Sequence, residues 1–207
     1  MRKKIISVIT VLCLLLNCFA VAASAKETYV VNIYLCARQT VSPFGHLWVY
    51  FENISRNNVK VGAYLLEPGK GVSVGTWGSK GKDGVGVYYN VEAYSASHYG
   101  ISGIISAKDS LTEAELEAVS AEIKDTNRWE PFIMNCMGFA FHIWNINCRP
   151  FLVPMMFPFI GRLQMLTLCD TSRNLKMYSP KSSEVYRQIR KGDTIQHVSA
   201  EMLEKIL

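Results

Sequence analysis

A cysteine in the second half of the chain has the sequence surroundings of a nucleophile. Cys136 lies in the segment NCMGFAFHIWN, residues 135–145, where a run of apolar residues predicts a helix that begins near Cys136. Asn135 is a suitable N-cap for this helix. The unpaired N–H groups at a helix N-terminus favour a thiolate, and the N–H of Cys136 could help to bind an oxyanion. Cys136 is therefore a candidate nucleophile.

A histidine in the first half of the chain is the candidate partner of this cysteine. His46 opens the predicted strand GHLWVYF, residues 45–51, and faces the same side as Trp48 and Tyr50. An imidazole beside a thiol removes the thiol proton and later protonates the leaving group, as cysteine hydrolases require. Taken alone, Cys136 and His46 each have an ordinary packing explanation. Taken together, they indicate a cysteine hydrolase in which Cys136 is the nucleophile.

These motifs together resemble the circularly permuted, NlpC-type branch of the papain-like cysteine hydrolases. The resemblance rests on G-H-x-W-V-Y followed by N-C-x-x-F-A and covers residues 44–146, with loose similarity over residues 61–78. It implies a papain-like, circularly permuted α+β fold in which the histidine strand precedes the cysteine helix. It also implies that His46 is the general base and Cys136 the nucleophile, as in a thiol protease.

Sites of this kind usually have a third polar residue, on the next strand, that orients the histidine. The sequence offers no clear one, and the candidates are Tyr64, Asn58 and Asn53. Two tryptophans, Trp48 and Trp77, are candidates for lining a substrate groove. The glycines around Trp77 predict turns that expose its ring.

The elements that must position this site predict an α+β fold. Short β-rich segments separated by turn residues fill the first half of the chain, and helical patterns dominate the second half. The strand-like segments are residues 29–35, 47–51, 59–66 and 86–94. The helical segments are one that starts with the capping-box pattern Ser110–Glu113, one from Cys136 to about Asn145, and short ones at 182–190 and 199–206. This order favours an antiparallel sheet packed against helices.

The start of the chain, residues 1–25, reads as a secretory signal peptide. Three basic residues are followed by an apolar run over residues 5–16 and then by small residues up to Ala25. Removal of the three basic residues lowers the formal net charge from +5 to +2, which argues against nucleic-acid binding. We expect a secreted, extracellular or cell wall-associated protein with no transmembrane span after cleavage.

The remaining residues, 26–207, are expected to form a single papain-like domain. Its core covers about residues 29–146, and an apolar loop over residues 150–160 follows. A helical tail over residues 182–206 completes the domain. This length and the apolar content are sufficient for a globular core.

The apolar loop is the segment that the resemblance does not place. Pro150, Pro154 and Pro158 exclude a regular helix over residues 150–160. We interpret the segment as a core or dimer contact, and the alternative is an apolar groove for an acyl substrate. A weak membrane or protein contact through this segment is also compatible with its composition.

The cysteines that remain after the signal peptide permit disulfides. Cys36, Cys136, Cys148 and Cys169 form an even set, but a catalytic thiolate at Cys136 leaves an odd thiol among the others. The chain has no C-x-x-C pair and no histidine pair at helical spacing, so no metal and no other cofactor is expected.

Three functions therefore stay open from the sequence. The first is a secreted cysteine peptidase or amidase that cleaves an amide bond in a peptide or peptidoglycan-like substrate. The second is an acyl ester or thioester hydrolase or acyltransferase that uses the same dyad. The third is a non-catalytic binding or structural domain, in which Cys136 pairs with Cys148 or Cys169.

Overall fold

An eight-stranded antiparallel sheet packed against five helices forms the fold in the part of the chain that is described. The computed structural model describes residues 28–38, 45–78, 86–126, 134–155, 157–189, 192 and 194–206, so the predicted signal peptide over residues 1–25 lies outside the described residues. The strands are β1 (Tyr29–Arg38), β2 (His46–Asn53), β3 (Val59–Val61), β4 (Tyr64–Leu66), β5 (Gly71–Trp77), β6 (Gly86–Tyr89), β7 (Ile104–Thr112), β8 (Thr171–Ser172), β9 (Tyr186–Gln188) and β10 (Ile195–His197). The helices are α1 (Val91–His98), α2 (Glu113–Asp125), α3 (Cys136–Asn147), α4 (Pro158–Leu168) and α5 (Ala200–Ile206). The predicted α+β class with an antiparallel sheet is confirmed.

The strand order of the large sheet is β10-β9-β6-β5-β2-β1-β7-β8, and β3 and β4 form a separate hairpin. All the pairings in both sheets are antiparallel. Strand β2 is therefore central, between β1 and β5, and His46 at its start pairs in register with Arg38 of β1. A residue at the end of a central strand is held by neighbours on both sides.

The main core lies between the sheet and helices α2 and α3. Alternate residues of β1, Val31 and Ile33 among them, are fully buried on one face, as the two-residue period of a strand requires. They belong to the same apolar cluster as Leu47 of β2 and as Phe139 and Ile143 of α3. Helix α3 is buried along most of its length, so its N-terminus is fixed against the start of β2.

A short turn divides the predicted strand over residues 59–66 into the hairpin of β3 and β4. Gly62 takes the left-handed conformation with a φ of +58°, which L side chains rarely adopt. A Cβ atom built there would lie 2.4 Å from the hydroxyl of Tyr89 and 2.6 Å from Ile123. The glycine thus permits both the turn and the close approach of α2, and the prediction of a single strand is wrong.

Two further predictions fail where a strand meets a helix. Strand β6 ends at Tyr89 rather than continuing to residue 94, because Asn90 adopts a left-handed conformation with a φ of 69° and α1 follows. Strand β7 was not predicted and extends to Thr112, which displaces the start of the next helix. The capping box is formed by Thr112 and Glu115 rather than by Ser110 and Glu113.

The C-terminal part differs from the prediction in two places. Where a helix was predicted over residues 182–190, the described residues 182–189 form a 3-10 turn (Ser182–Glu184) and strand β9, whereas the predicted terminal helix is present as α5. The described residues 150–155 of the apolar loop contain no helix, as its prolines predict. Helix α4, which was not predicted, then begins at Pro158, where a proline is tolerated because a first-turn N–H has no helical partner. None of the helices in the described ranges is long and apolar enough to cross a membrane.

Candidate active site

Helix α3 presents Cys136 at its first position, and Asn135 is its N-cap. The side-chain oxygen of Asn135 accepts hydrogen bonds from the backbone N–H groups of Met137 and Gly138, each at 3.0 Å. This cap satisfies two of the N–H groups that a helix start leaves without helical partners. Residue Cys136 as a whole is partly exposed, whereas its neighbours Asn135 and Met137 are buried.

The side chains of Cys136 and His46 are hydrogen-bonded to each other. The structure therefore brings together the two residues that the sequence singled out, from helix α3 and from the start of β2. Backbone N–H groups of Leu47 and Met137 also donate to the sulfur of Cys136. The sulfur thus lies where the end of a strand meets the start of a helix, among donors that stabilise a negative charge.

A buried carboxylate holds the other side of the imidazole. The Nε2 atom of His46 lies 3.0 Å from Oε1 of Glu92, in the first turn of α1. Because Nε2 is engaged by Glu92, Nδ1 is the nitrogen left to face Cys136. The three side chains form a thiol, an imidazole and a carboxylate in series, which is the order of a nucleophile, a base and an orienting group.

The carboxylate of Glu92 is itself fixed by two neutral donors from β5. The hydroxyl of Ser73 donates to Oε2 at 2.9 Å, and the indole N–H of Trp77 donates to Oε1 at 2.9 Å. The side chain of Glu92 is only 3% exposed, and such a buried charge requires partners of this kind. Glu92 therefore has a fixed position beside His46.

Aromatic rings enclose the imidazole of His46. The ring of Trp77 lies 4.2 Å from it between centroids, and the ring of Trp48 stacks at 5.6 Å. These ring faces favour the charged imidazolium. The expected groove role of Trp48 is wrong, because its side chain is buried. Trp77 is half-buried instead of exposed on a glycine-rich turn, and it supports Glu92.

The pKa values of the pair shift in the directions that an ion pair requires. Burial on its own lowers the pKa of His46, but the neighbouring Cys136 and Glu92 more than offset this and raise it to about 9. Burial raises the pKa of Cys136, but the charge and hydrogen bond of His46 and two backbone N–H donors lower it below its ordinary value. Both shifts favour the thiolate and imidazolium form of the pair over the neutral form.

The other described cysteines have the opposite environment. Burial raises the pKa of the thiols of Cys36, Cys148 and Cys169, and the carboxylate of Asp109 further raises that of Cys148. All four cysteines of the described ranges are free thiols in the structure. Cys136 is thus distinguished from the other three by its charge environment.

The orienting residue is not one of the three that the sequence suggested. The hydroxyl of Tyr64 accepts a hydrogen bond from Asn90, and Asn53 binds the backbone of its own turn at Asn57 and Leu66. Asn58 is exposed in that turn. Glu92 occupies the position they were expected to fill.

Glu92 does not lie on the strand that follows His46 in sequence, which is where an orienting residue was expected. That strand forms the separate β3 and β4 hairpin, whereas β5 is the neighbour of β2 in space. A signal was present in the sequence, since Glu92 is the sole acidic residue between Asp83 and Asp109 and lies among apolar residues. A carboxylate in such a context requires a buried partner.

Comparisons with models of known protein families, with curated proteins and with solved structures found no match to this chain. The described residues hold no group of three or more His, Cys, Asp or Glu side chains that could bind a metal ion.

Proposed function

We propose that this protein is an exported cysteine hydrolase that cleaves an amide bond in a peptide or peptidoglycan-like substrate. The proposal includes a papain-like site in circularly permuted order, with His46 before Cys136 in the chain. The single observation that supports it best is the continuous series of contacts from Cys136 through His46 to Glu92. A buried series of a thiol, an imidazole and a carboxylate that contact one another is not required for packing.

In the first half of the proposed reaction, the thiolate of Cys136 attacks the carbonyl carbon of the substrate and forms a C–S bond. The carbonyl oxygen becomes an oxyanion, for which the N–H of Cys136 at the start of α3 is a suitable donor. The imidazolium of His46 gives its proton to the leaving amine as the C–N bond breaks. The products of this half are a free amine and a thioester on Cys136.

In the second half, water cleaves the thioester. Neutral His46 removes a proton from the water as its oxygen attacks the carbonyl carbon, and the C–S bond then breaks. The thiolate of Cys136 and the imidazolium of His46 are restored, and a carboxylic acid leaves. Throughout the cycle Glu92 keeps Nδ1 of His46 directed at the sulfur and stabilises the positive ring.

A second candidate is acyl ester or thioester chemistry with the same three residues. It is favoured by the apolar surroundings of the site, because Gly161 of α4 packs directly on Met137 and Leu47, the residues that follow the nucleophile and the base. Esters and thioesters have better leaving groups than amides, so the same thiolate would serve. The non-catalytic alternative predicted a disulfide at Cys136, and the free thiol found there does not favour it.

The test is iodoacetamide labelling of the folded protein at a series of pH values, with mass spectrometry of each cysteine. Below pH 7, we expect Cys136 to be labelled faster than the other cysteines. We expect the labelling of Cys136 to be slower in His46→Ala than in the wild type. Peptide and acyl ester substrates are then compared on the same preparation. Loss of turnover by several orders of magnitude is expected in Cys136→Ala, with Cys169→Ala as the matched control. Turnover that persists in Cys136→Ala would exclude this site.

A further inference from the structure

An unusually large share of the exposed apolar side chains lies in one segment. Of the thirteen large apolar residues that are exposed in the described part of the chain, eight fall between residues 151 and 168. Clusters of this kind mark interaction sites, whereas single exposed apolar residues do not. We refer to the exposed side chains of residues 151–168, with Met156 outside the described part, as the 151–168 surface.

The 151–168 surface is one unit because its two parts are tied together. The backbone N–H of Val153 donates to the side chain of Gln164 at 3.1 Å, and the side-chain amide of Gln164 donates to the carbonyl of Val153 at 2.9 Å. The extended part therefore runs beside α4. The rings of Phe157 and Phe159 stack at 6.0 Å where the two parts join.

Helix α4 has two apolar faces, of which the protein covers one. Gly161 and Met165 are buried against the domain. Phe159, Leu163 and Leu166 are exposed and follow the i, i+4, i+7 spacing of a second stripe on the helix surface. A surface helix that needed only to pack on its own domain would carry polar residues on that second stripe.

The charge of this region indicates what covers it. Residues 134–169 include two arginines, Arg149 and Arg162, and no aspartate or glutamate. A second copy of the chain would fit poorly, since a two-fold interface brings the same patch against itself and would bring arginines together without acidic partners. An anionic phospholipid bilayer supplies both an apolar interior and negative headgroups. Helix α4 has 11 residues, so it can lie in the interface but cannot cross the bilayer.

We propose that the 151–168 surface docks the protein on anionic phospholipid bilayers. The extended part and the exposed stripe of α4 enter the headgroup boundary, and the exposed residue Arg149 supplies a positive charge for the phosphates. Because Gly161 packs on Met137 and Leu47, α4 is held firmly on the domain that carries it. Docking does not depend on the proposed hydrolysis and can be measured without it.

The experiment is co-sedimentation with phosphatidylcholine vesicles and with vesicles that also contain phosphatidylserine. The protein is used as a host exports it, with its N-terminus read by mass spectrometry and shared by every variant. We expect the wild type and Cys136→Ala to bind the phosphatidylserine vesicles equally well. Both proteins should bind these vesicles more strongly than the phosphatidylcholine vesicles. The triple variant Phe159→Ser, Leu163→Ser, Leu166→Ser is expected to lose about tenfold or more in binding.

A second triple variant provides the matched control. Ile54→Ser, Leu65→Ser and Tyr99→Ser remove exposed apolar side chains outside the 151–168 surface, and binding should stay unchanged. Circular dichroism establishes that both triple variants are folded. The proposal is overturned if the wild type does not bind the anionic vesicles or if the first triple variant binds like the wild type. Light scattering that shows a dimer in the wild type and a monomer in that variant would also overturn it, in favour of contact between copies.

Cys136→Ala lacks the proposed nucleophile, so its vesicle binding measures docking without hydrolysis. The docking proposal and the hydrolase proposal can therefore be contradicted separately. Vesicle binding without any turnover on peptides or acyl esters would support docking and contradict hydrolysis. Turnover without vesicle binding would do the reverse.

Discussion

The Nε2 atom of His46 and the Oε1 atom of Glu92 lie 3.0 Å apart, and Trp77 contacts both residues. Glu92 accepts hydrogen bonds from Ser73 and from the indole N–H of Trp77. The ring of Trp48 stacks on His46, and the ring of Trp77 lies against it at a tilt. The imidazole therefore cannot turn without breaking its contacts with Glu92 and with both rings. In the proposed reaction, this fixed orientation suits His46 to act as a base for Cys136.

The first prediction concerns the pH dependence of turnover. The reactive form holds a thiolate at Cys136, which exists above its lowered pKa, and an imidazolium at His46, which exists below about pH 9. We expect kcat/KM to rise on the acidic side as Cys136 loses its proton and to fall near pH 9 as His46 loses its own. Alkylation needs the thiolate alone, so its rate should rise on the acidic side without falling at high pH.

The second prediction is that Glu92→Gln moves the alkaline limb of this profile. Without the carboxylate, the pKa of His46 falls and the imidazolium stabilises the thiolate of Cys136 over a narrower pH range. We expect the alkaline limb to move to lower pH and kcat to fall by roughly 10- to 1,000-fold. Glu122→Gln is the control, because Glu122 binds His142 on the surface. A profile that is identical in Glu92→Gln would contradict the orienting role.

The third prediction concerns Trp77, whose ring contacts His46 and whose indole N–H donates to Glu92. Trp77→Phe keeps an aromatic ring against His46 but removes the indole N–H that donates to Glu92 at 2.9 Å. We expect the free energy of unfolding to fall by about 1–3 kcal/mol, because a buried carboxylate loses one donor. Thermal or urea unfolding measures this loss. Tyr99→Phe is the control, because it alters an exposed ring and should leave the free energy of unfolding unchanged. An equal loss of stability in Tyr99→Phe would contradict the role of the Trp77 hydrogen bond.

The fourth prediction uses the N-cap of α3. Asn135→Ala should lower the free energy of unfolding by about 0.5–2 kcal/mol, because the N–H groups of Met137 and Gly138 lose their acceptor. Asn135→Asp keeps an acceptor and should retain stability, but its negative charge beside Cys136 disfavours the thiolate. Labelling of Cys136 at neutral pH should therefore be slower in Asn135→Asp than in the wild type. Equal labelling rates in the two proteins would show that the charge at position 135 does not affect the stability of the Cys136 thiolate.

Local chemistry made the nucleophile helix predictable from the sequence. Asn135 is a good N-cap, apolar residues follow it, and α3 indeed begins at Cys136. The strands at His46 and at residue 29 were also readable, because alternation and β-branched residues mark them. Such features depend on neighbours in sequence, so they can be read without a structure.

The partner of His46 could not be found in the same way. Glu92 reaches the imidazole because β5 pairs with β2 and β6 pairs with β5, and the sequence shows neither pairing. The strand break at Asn90 was hidden as well, since its left-handed conformation depends on hydrogen bonds to Ser73 and to the carbonyl of Glu184. The contact of Glu92 with His46 and the strand break at Asn90 both depend on residues distant in sequence, so local patterns do not show them.

The three groups of the site come from β2, α1 and α3, which are brought together only by pairing of distant strands and by docking of α3. In an unfolded chain Cys136 is an ordinary thiol, with no imidazolium beside it and no helix start beneath it. Reactivity is therefore acquired with tertiary structure and not before. For a chain that is exported unfolded, folding would be the step that activates the proposed nucleophile.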